Sequence, residues 1–130
     1  MNLSFTIGMT AEKSELVSER NTAIQYGSGA LAVYATPAMI GLMEGAAVKA
    51  VEAQIPAGAS TVGTDVKIRH MAATPVGMTV RAVAELTEID GRRLVFSVKA
   101  FDEKEQIGAG AHERFVIDVE RFLQKTTAKK

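Results

Sequence analysis

Beyond residue 60 the chain alternates between apolar and polar positions. The runs 61–71, 78–89, 92–102 and 107–116 are rich in Val, Thr, Ile and Phe. Period-two alternation of this kind predicts strands with one face turned to a core. Asp90-Gly91 marks a two-residue hairpin between the second and third runs, and Thr74-Pro75-Val76-Gly77 marks a turn between the first and second. Near the N-terminus, residues 2–7 and 12–17 predict two further short strands, with Glu12, Ser14 and Glu15 on the exposed side. Residues 118–123 predict a helical turn or a strand extension, followed by a flexible basic tail at 124–130.

The pattern changes period between these strands. Thr36 suits an N-cap and Pro37 the first helical position, and Pro56-Ala57-Gly58 stops a helix that runs to about Ala53. Gly41 and Gly45 cost stability inside that helix and predict a close approach by a backbone or a thin ligand. Ahead of it, residues 21–35 are rich in Gly, Ala and Ser and predict an irregular lead-in. One helix too apolar to face water must be covered by the strands. The predicted fold class is α+β, with one long helix wrapped by a curved antiparallel sheet in a single domain spanning 1–130. One sheet layer over one helix leaves a face or an edge in need of cover, so a homodimer is expected.

Composition narrows the function classes. Lys plus Arg number 15 and Asp plus Glu 15, so no net basic field recruits nucleic acid or an anionic membrane. There is no cysteine, which excludes disulfides, thiolate metal sites and cysteine nucleophiles. No signal-peptide pattern opens the chain, and the weakly charged stretch 21–48 is broken by Asn, Gln, Gly and Pro, so a cytoplasmic protein is expected. The two histidines stand far apart in sequence, and neither a phosphate-binding loop nor a dinucleotide fingerprint is present, so no metal and no cofactor is expected.

Glu44 is the only charged residue between Arg20 and Lys49. Ile40, Gly41, Ala47, Val48 and Val51 fall within roughly a quarter turn of it on a helix. None offers an ion pair, so the carboxylate needs a partner from elsewhere or a task. Strand parity over 62–70 puts Val62, Thr64, Val66, Ile68 and His70 on the helix-facing side, with Gly63 among the residues on the other. Helix and sheet thus aim a carboxylate and an imidazole at one interior. Thr36 lies eight residues before Glu44, about 12 Å along a helix. The simplest shared site therefore takes Thr36 from one subunit and Glu44 from the other. His112-Glu113-Arg114 reads as an exposed charged edge, and Gly108-Ala109-Gly110 as a bulge or a close backbone approach.

Several segments together resemble the fluoroacetyl-CoA-thioesterase-like branch of the hot-dog-fold thioesterases. They are Ala35-Thr-Pro-Ala-Met-Ile-Gly-Leu-Met-Glu44, Ser60-Thr-Val-Gly-Thr64 with Arg69-His70, Glu85 to Leu94, and Gly110-Ala-His-Glu-Arg114. The similarity runs from about residue 2 to residue 120. It implies the same wrapped-helix fold, a dimer with active sites at the subunit interface, and an acyl-CoA substrate. It also implies a catalytic set on Thr36, Glu44 and His70, with Gly63, the adjoining Thr64 and Arg114 as candidate acyl-group contacts. Parity sets Arg114 off the apolar face of its strand.

Thioester hydrolysis suits these residues, because a thiolate whose thiol has a pKa of about 8.5 leaves with little acid help. Glu44 is the expected nucleophile or general base, His70 its orienter or proton shuttle, and Thr36 the group that positions water or the carbonyl. The lead-in Tyr26-Gly-Ser-Gly-Ala-Leu-Ala-Val-Tyr34 carries small residues where a snug lid over a two-carbon acyl group calls for bulk, which predicts a more open acyl pocket. An enoyl-CoA hydratase of the same fold and a non-catalytic acyl-CoA binder are the competing readings. Thiol release separates hydrolysis from both.

Overall fold

The computed structural model describes residues 2–130. The elements run β1 (Thr10–Leu16), a 3-10 turn (Glu19–Asn21), α1 (Ala23–Tyr26), α2 (Thr36–Val51) with a 3-10 extension (Glu52–Gln54), β2 (Ala59–His70), β3 (Thr79–Asp90), β4 (Arg93–Phe101), β5 (Gln106–Asp118) and α3 (Val119–Thr127). All strand pairs are antiparallel, in the order β1-β3-β4-β5-β2. The sheet curls around α2, and β2 forms one edge. Among the described residues, no helix is long and apolar enough to cross a membrane.

The predicted alternation is visible in the core. On β3, Val80, Ala82, Ala84 and Leu86 are buried, and on β4, Leu94, Phe96, Val98 and Ala100. Against them α2 lays Met39, Leu42, Met43, Ala46 and Ala47. Each large side chain fully buried in this way contributes about 1.5–3 kcal/mol of transfer free energy. Gly108 and Gly110 do mark close approaches. A Cβ at Gly108 would stand 2.6 Å from Met39 Sδ, and one at Gly110 would run into the Lys67 carbonyl oxygen. Of the two helical glycines, Gly45 is covered by the Lys13 side chain, whose Nζ would lie 2.8 Å from an added Cβ, while nothing approaches Gly41.

Several local expectations need correction. Residues 2–7 form no strand; Leu3 and Phe5 instead pack on the core as irregular chain. The hairpin turn is Gly91-Arg92, one residue later than Asp90-Gly91, because Asp90 still pairs with Arg93. Gly91 takes φ 59°, a value glycine adopts at little cost. Residues 119–127 are a helix capped by the Asp118 side chain, so regular structure continues well into the segment expected to be tail. The lead-in is more ordered than its composition suggests. Bridges Thr22–Tyr34 and Val33–Pro75 close it, and Gly27 ends α1 in the left-handed region.

Candidate active site

Ala35, not Thr36, holds the cap position of α2, and it makes no side-chain cap bond. Thr36 is the first helical residue, which frees its hydroxyl for another partner. Its Oγ1 lies 2.7 Å from His70 Nδ1, joining the start of the helix to the end of β2. His70 Nε2 is buried and has no hydrogen-bond partner among the described residues. Burial pushes the His70 pKa below its ordinary value; the Ala72 backbone opposes that shift without closing a bond to Nε2. A neutral imidazole follows. The pair lines an open cleft of about 330 Å³ together with Ser28, Val33, Tyr34 and Met71.

Glu44 stands in a separate cluster. Its carboxylate oxygen Oε2 is 3.6 Å from Arg114 Nη1 and 3.9 Å from His112 Nε2. Arg114 is itself anchored. Its Nε donates to Thr61 Oγ1 at 2.9 Å and its Nη2 to the Thr61 carbonyl at 2.9 Å, while Nη1 meets His112 Nε2 at 3.1 Å. Burial disfavours the guanidinium charge, and the Glu44 carboxylate offsets part of that cost. Over this cluster sits Gly63. A Cβ there would lie 2.9 Å from Glu44 Oε2 and 3.3 Å from both Arg114 Nη1 and His112 Cε1. The absent side chain leaves a narrow slot beside a carboxylate and a cation.

Register explains how these residues meet. β2 and β5 pair Gly63 with Arg114 and then, across a bulge, Asp65 with Glu113 and Val66 with His112. Thr64 is the extra residue, and one extra residue reverses parity. Gly63 therefore faces the helix on one side of the bulge, as Ile68 and His70 do on the other. Placing Val62 and Thr64 with His70, and Gly63 opposite, is thus wrong for the segment before the bulge. Thr64 is exposed and donates its hydroxyl to the Glu113 carbonyl, away from the slot.

Arg114 and His112 are likewise not an exposed edge. They are 7% and 1% exposed, on the inner face of β5, and only Glu113 between them turns outward to Arg93. Phe115 is the misleading residue. It is apolar yet 41% exposed, so parity counted from it sends Arg114 to the wrong side.

Glu44 itself departs from expectation. Its side chain is 38% exposed in the single chain, and Gly41 and Val48 beside it are exposed too. The stripe of α2 that packs on the sheet is centred on Met39, Leu42, Met43 and Ala46, next to Glu44 and not around it. Nor do Glu44 and His70 touch within the chain: the imidazole beside the carboxylate is His112. The structure therefore joins Thr36 with His70, and Glu44 with Gly63 and Arg114, as two separate clusters. His112 and Thr61 were not singled out from sequence. The available signal was a glycine inside a strand, which often marks a bulge and would have flipped the faces.

The sequence model of the family described as FlK, fluoroacetyl-CoA-specific thioesterase, matches residues 17–120. The chain belongs to this family. It is an acyl-CoA thioester hydrolase with the hot-dog fold. A fluoroacetyl-CoA thioesterase from Streptantibioticus cattleyicolor is 45% identical over 97 residues, 75% of this chain and 70% of that one. A solved structure of the fluoroacetyl-CoA thioesterase FlK superposes with a TM-score of 0.92 at 36% identity, covering 98% of each chain. A thioesterase-superfamily member from Thermus thermophilus gives 0.86 at 27% identity, with 95% of this chain and 94% of the other covered. A hot-dog-like protein from Thermanaerovibrio acidaminovorans, at 22% identity and a TM-score of 0.87 over 96% of this chain and 93% of that one, shares the fold.

Proposed function

We propose that this family member hydrolyses small to medium acyl-CoA thioesters as a cytoplasmic homodimer, in a site assembled from two copies. The carrying observation is the slot over Gly63, bordered by the Glu44 carboxylate and the Arg114 guanidinium. A thioester carbonyl seated there meets a negative oxygen able to attack it, or to deprotonate a water that does. The positive donor beside it stabilises charge on the carbonyl oxygen. The C–S bond then breaks, and the CoA thiolate leaves and takes up a proton; where Glu44 attacks directly, water then hydrolyses the resulting acyl anhydride to free the acid and restore the carboxylate.

Thr36 and His70 complete the site from the other copy. β2 is an unpaired edge strand, and such edges are rarely left bare. Antiparallel pairing of two β2 strands about a two-fold axis near the middle of the strand brings the Gly63 end of one copy towards the His70 end of the other. Val66 and Met71, 45% and 47% exposed in the single chain, lie on or next to this edge and would be covered. The Thr36 hydroxyl then helps hold the carbonyl or the water, and the neutral His70 ring shuttles the proton. The cleft beside His70 accepts the acyl group. Its loop side is built from small residues such as Ser28, which favours a wider acyl range than a two-carbon group alone requires.

The test is thiol release across a panel of acyl-CoA thioesters of increasing chain length, beside Glu44→Gln. Turnover of several members, with a loss on the order of 10²–10⁴-fold in the variant, supports the reading. No thiol release from any acyl-CoA, or full activity in Glu44→Gln, overturns it. Mixed dimers pairing Thr36→Ala with Glu44→Gln should regain activity in one of their two sites. No regain contradicts the two-copy site.

A further inference from the structure

His112 is a buried polar side chain to which the mechanism above gives no task. Its Nδ1 lies 2.8 Å from the Asp65 carbonyl oxygen. A carbonyl can only accept, so Nδ1 carries the proton. Its Nε2 lies 3.1 Å from Arg114 Nη1, and a guanidinium can only donate, so Nε2 accepts. The two contacts fix one neutral tautomer and one ring orientation. Phe96 of β4 stacks against the ring with centroids 6.3 Å apart and planes at 30°, which holds it from the sheet side. The carbonyl that takes the ring proton belongs to Asp65, the residue at which β2 resumes pairing after its bulge.

We infer that His112 is a positioning residue for the thioesterase reaction, acting through Arg114. The inference rests on the Glu44–Arg114 slot proposed above. Thr61 holds one edge of the guanidinium by Nε and Nη2, which still allows it to tilt about that edge. His112 binds Nη1 from the other side and stops the tilt. Of the two Nη1 protons, one goes to His112. The other is left for the space between Glu44 Oε2 and the open position over Gly63. His112 Nε2 is 3.9 Å from Glu44 Oε2, beyond hydrogen-bond reach, so it does not hold the carboxylate directly. Without the ring's acceptor, Nη1 is free to swing toward Glu44 and close on the carboxylate, filling the slot with the cation that should face the substrate.

The experiment compares His112→Phe, His112→Gln and Arg114→Met, alone and in combination. Phenylalanine keeps the ring against Phe96 and removes both polar contacts; glutamine can place an amide oxygen near the position of Nε2. His112→Phe should lower kcat on the order of 10- to 100-fold with KM little changed, the scale of a misplaced catalytic group. His112→Gln should recover most of that loss. In the Arg114→Met background, His112→Phe should cost little more, because its effect passes through the missing arginine. Equal losses in the Phe and Gln variants, or full additivity with Arg114→Met, overturn the inference.

A reading independent of turnover uses long-range proton–nitrogen NMR on the wild-type chain. It should show His112 Nδ1 protonated and Nε2 bare. A protonated Nε2 overturns the inference even if every variant is inactive. Activity retained in Glu44→Gln would instead strike the proposed chemistry and leave the measured tautomer standing.

Discussion

Glu44 meets its partners on the buried inner face of the sheet, whereas Thr36 and His70 meet beside an open cleft walled by a loop of small residues. The first cluster is charged and heavily tied: every nitrogen of Arg114 has a partner among Thr61, His112 and Glu44. The second is neutral and loosely filled, with one short contact and a buried ring nitrogen left unpartnered. Charges taken out of water need fixed partners, and a cation that moves by an ångström loses much of its electrostatic effect. A neutral couple carries a smaller desolvation cost and tolerates open space. On the proposed reading, bond-making and transition-state charge fall mainly to the sheet-held cluster, while the cleft beside Thr36 and His70 selects the acyl group.

Filling the slot is the strongest way to break this contrast. Gly63→Val puts branched carbon where a bare Cβ already lies 2.9 Å from the carboxylate. Thiol release should fall on the order of 10²-fold for all acyl-CoA substrates alike, as a blocked reacting position predicts. A loss confined to long acyl chains would assign the slot to selection instead. Next in size is Ser28→Phe in the cleft. Adding bulk there should lower kcat/KM for longer acyl groups by about tenfold relative to acetyl-CoA, with the shortest substrate least affected. Comparison of kcat/KM ratios across the panel decides it.

A smaller effect separates the clusters by pH. Burial lowers the His70 pKa below its ordinary 6.5. As pH falls beneath 6.5, the unfolded chain takes up the proton more readily than the folded one. The stability contribution is thus intact above 6.5 and is lost as pH falls toward the folded-state value, with a slope of at most about 1.4 kcal/mol per pH unit. Denaturant melts from pH 7.5 to 5 should show this decline, and His70→Gln should remove its share. The smallest effect is expected at a distance from both clusters. Arg81 and Glu12 form a 2.8 Å pair between exposed side chains, and Arg81→Ala should cost about 0.2–1 kcal/mol of stability with unchanged turnover. An activity loss there would show that the site extends beyond the slot and the cleft.

Much of this architecture was legible along the chain because it depends on local period. Alternation from Thr61 to Val116 and the cap-and-stop signals around α2 are properties of neighbouring residues, and they mark the strands and the long helix to within a few positions. Glu44 was legible for the same reason, as a carboxylate with no cation within a turn. His70 fell on the inner face as parity predicted, since no irregularity lies between it and Val66. The facing of the segment before the bulge was not legible: Gly63 and Arg114 entered only through the family resemblance, and Thr61 and His112 were missed.

What the sequence by itself determined is therefore the kind of fold, the family, and the presence of an unpaired acid on an apolar helix. Which groups the acid meets was decided only in three dimensions. One extra residue, Thr64, reverses which side chains face the helix, and cross-strand pairing then brings Arg114 and His112, about seventy positions further along the chain, to Glu44. Side-chain period is a local property; register and curvature are set by the whole sheet packing against one helix, so the partners of a charge are fixed only when that packing is complete.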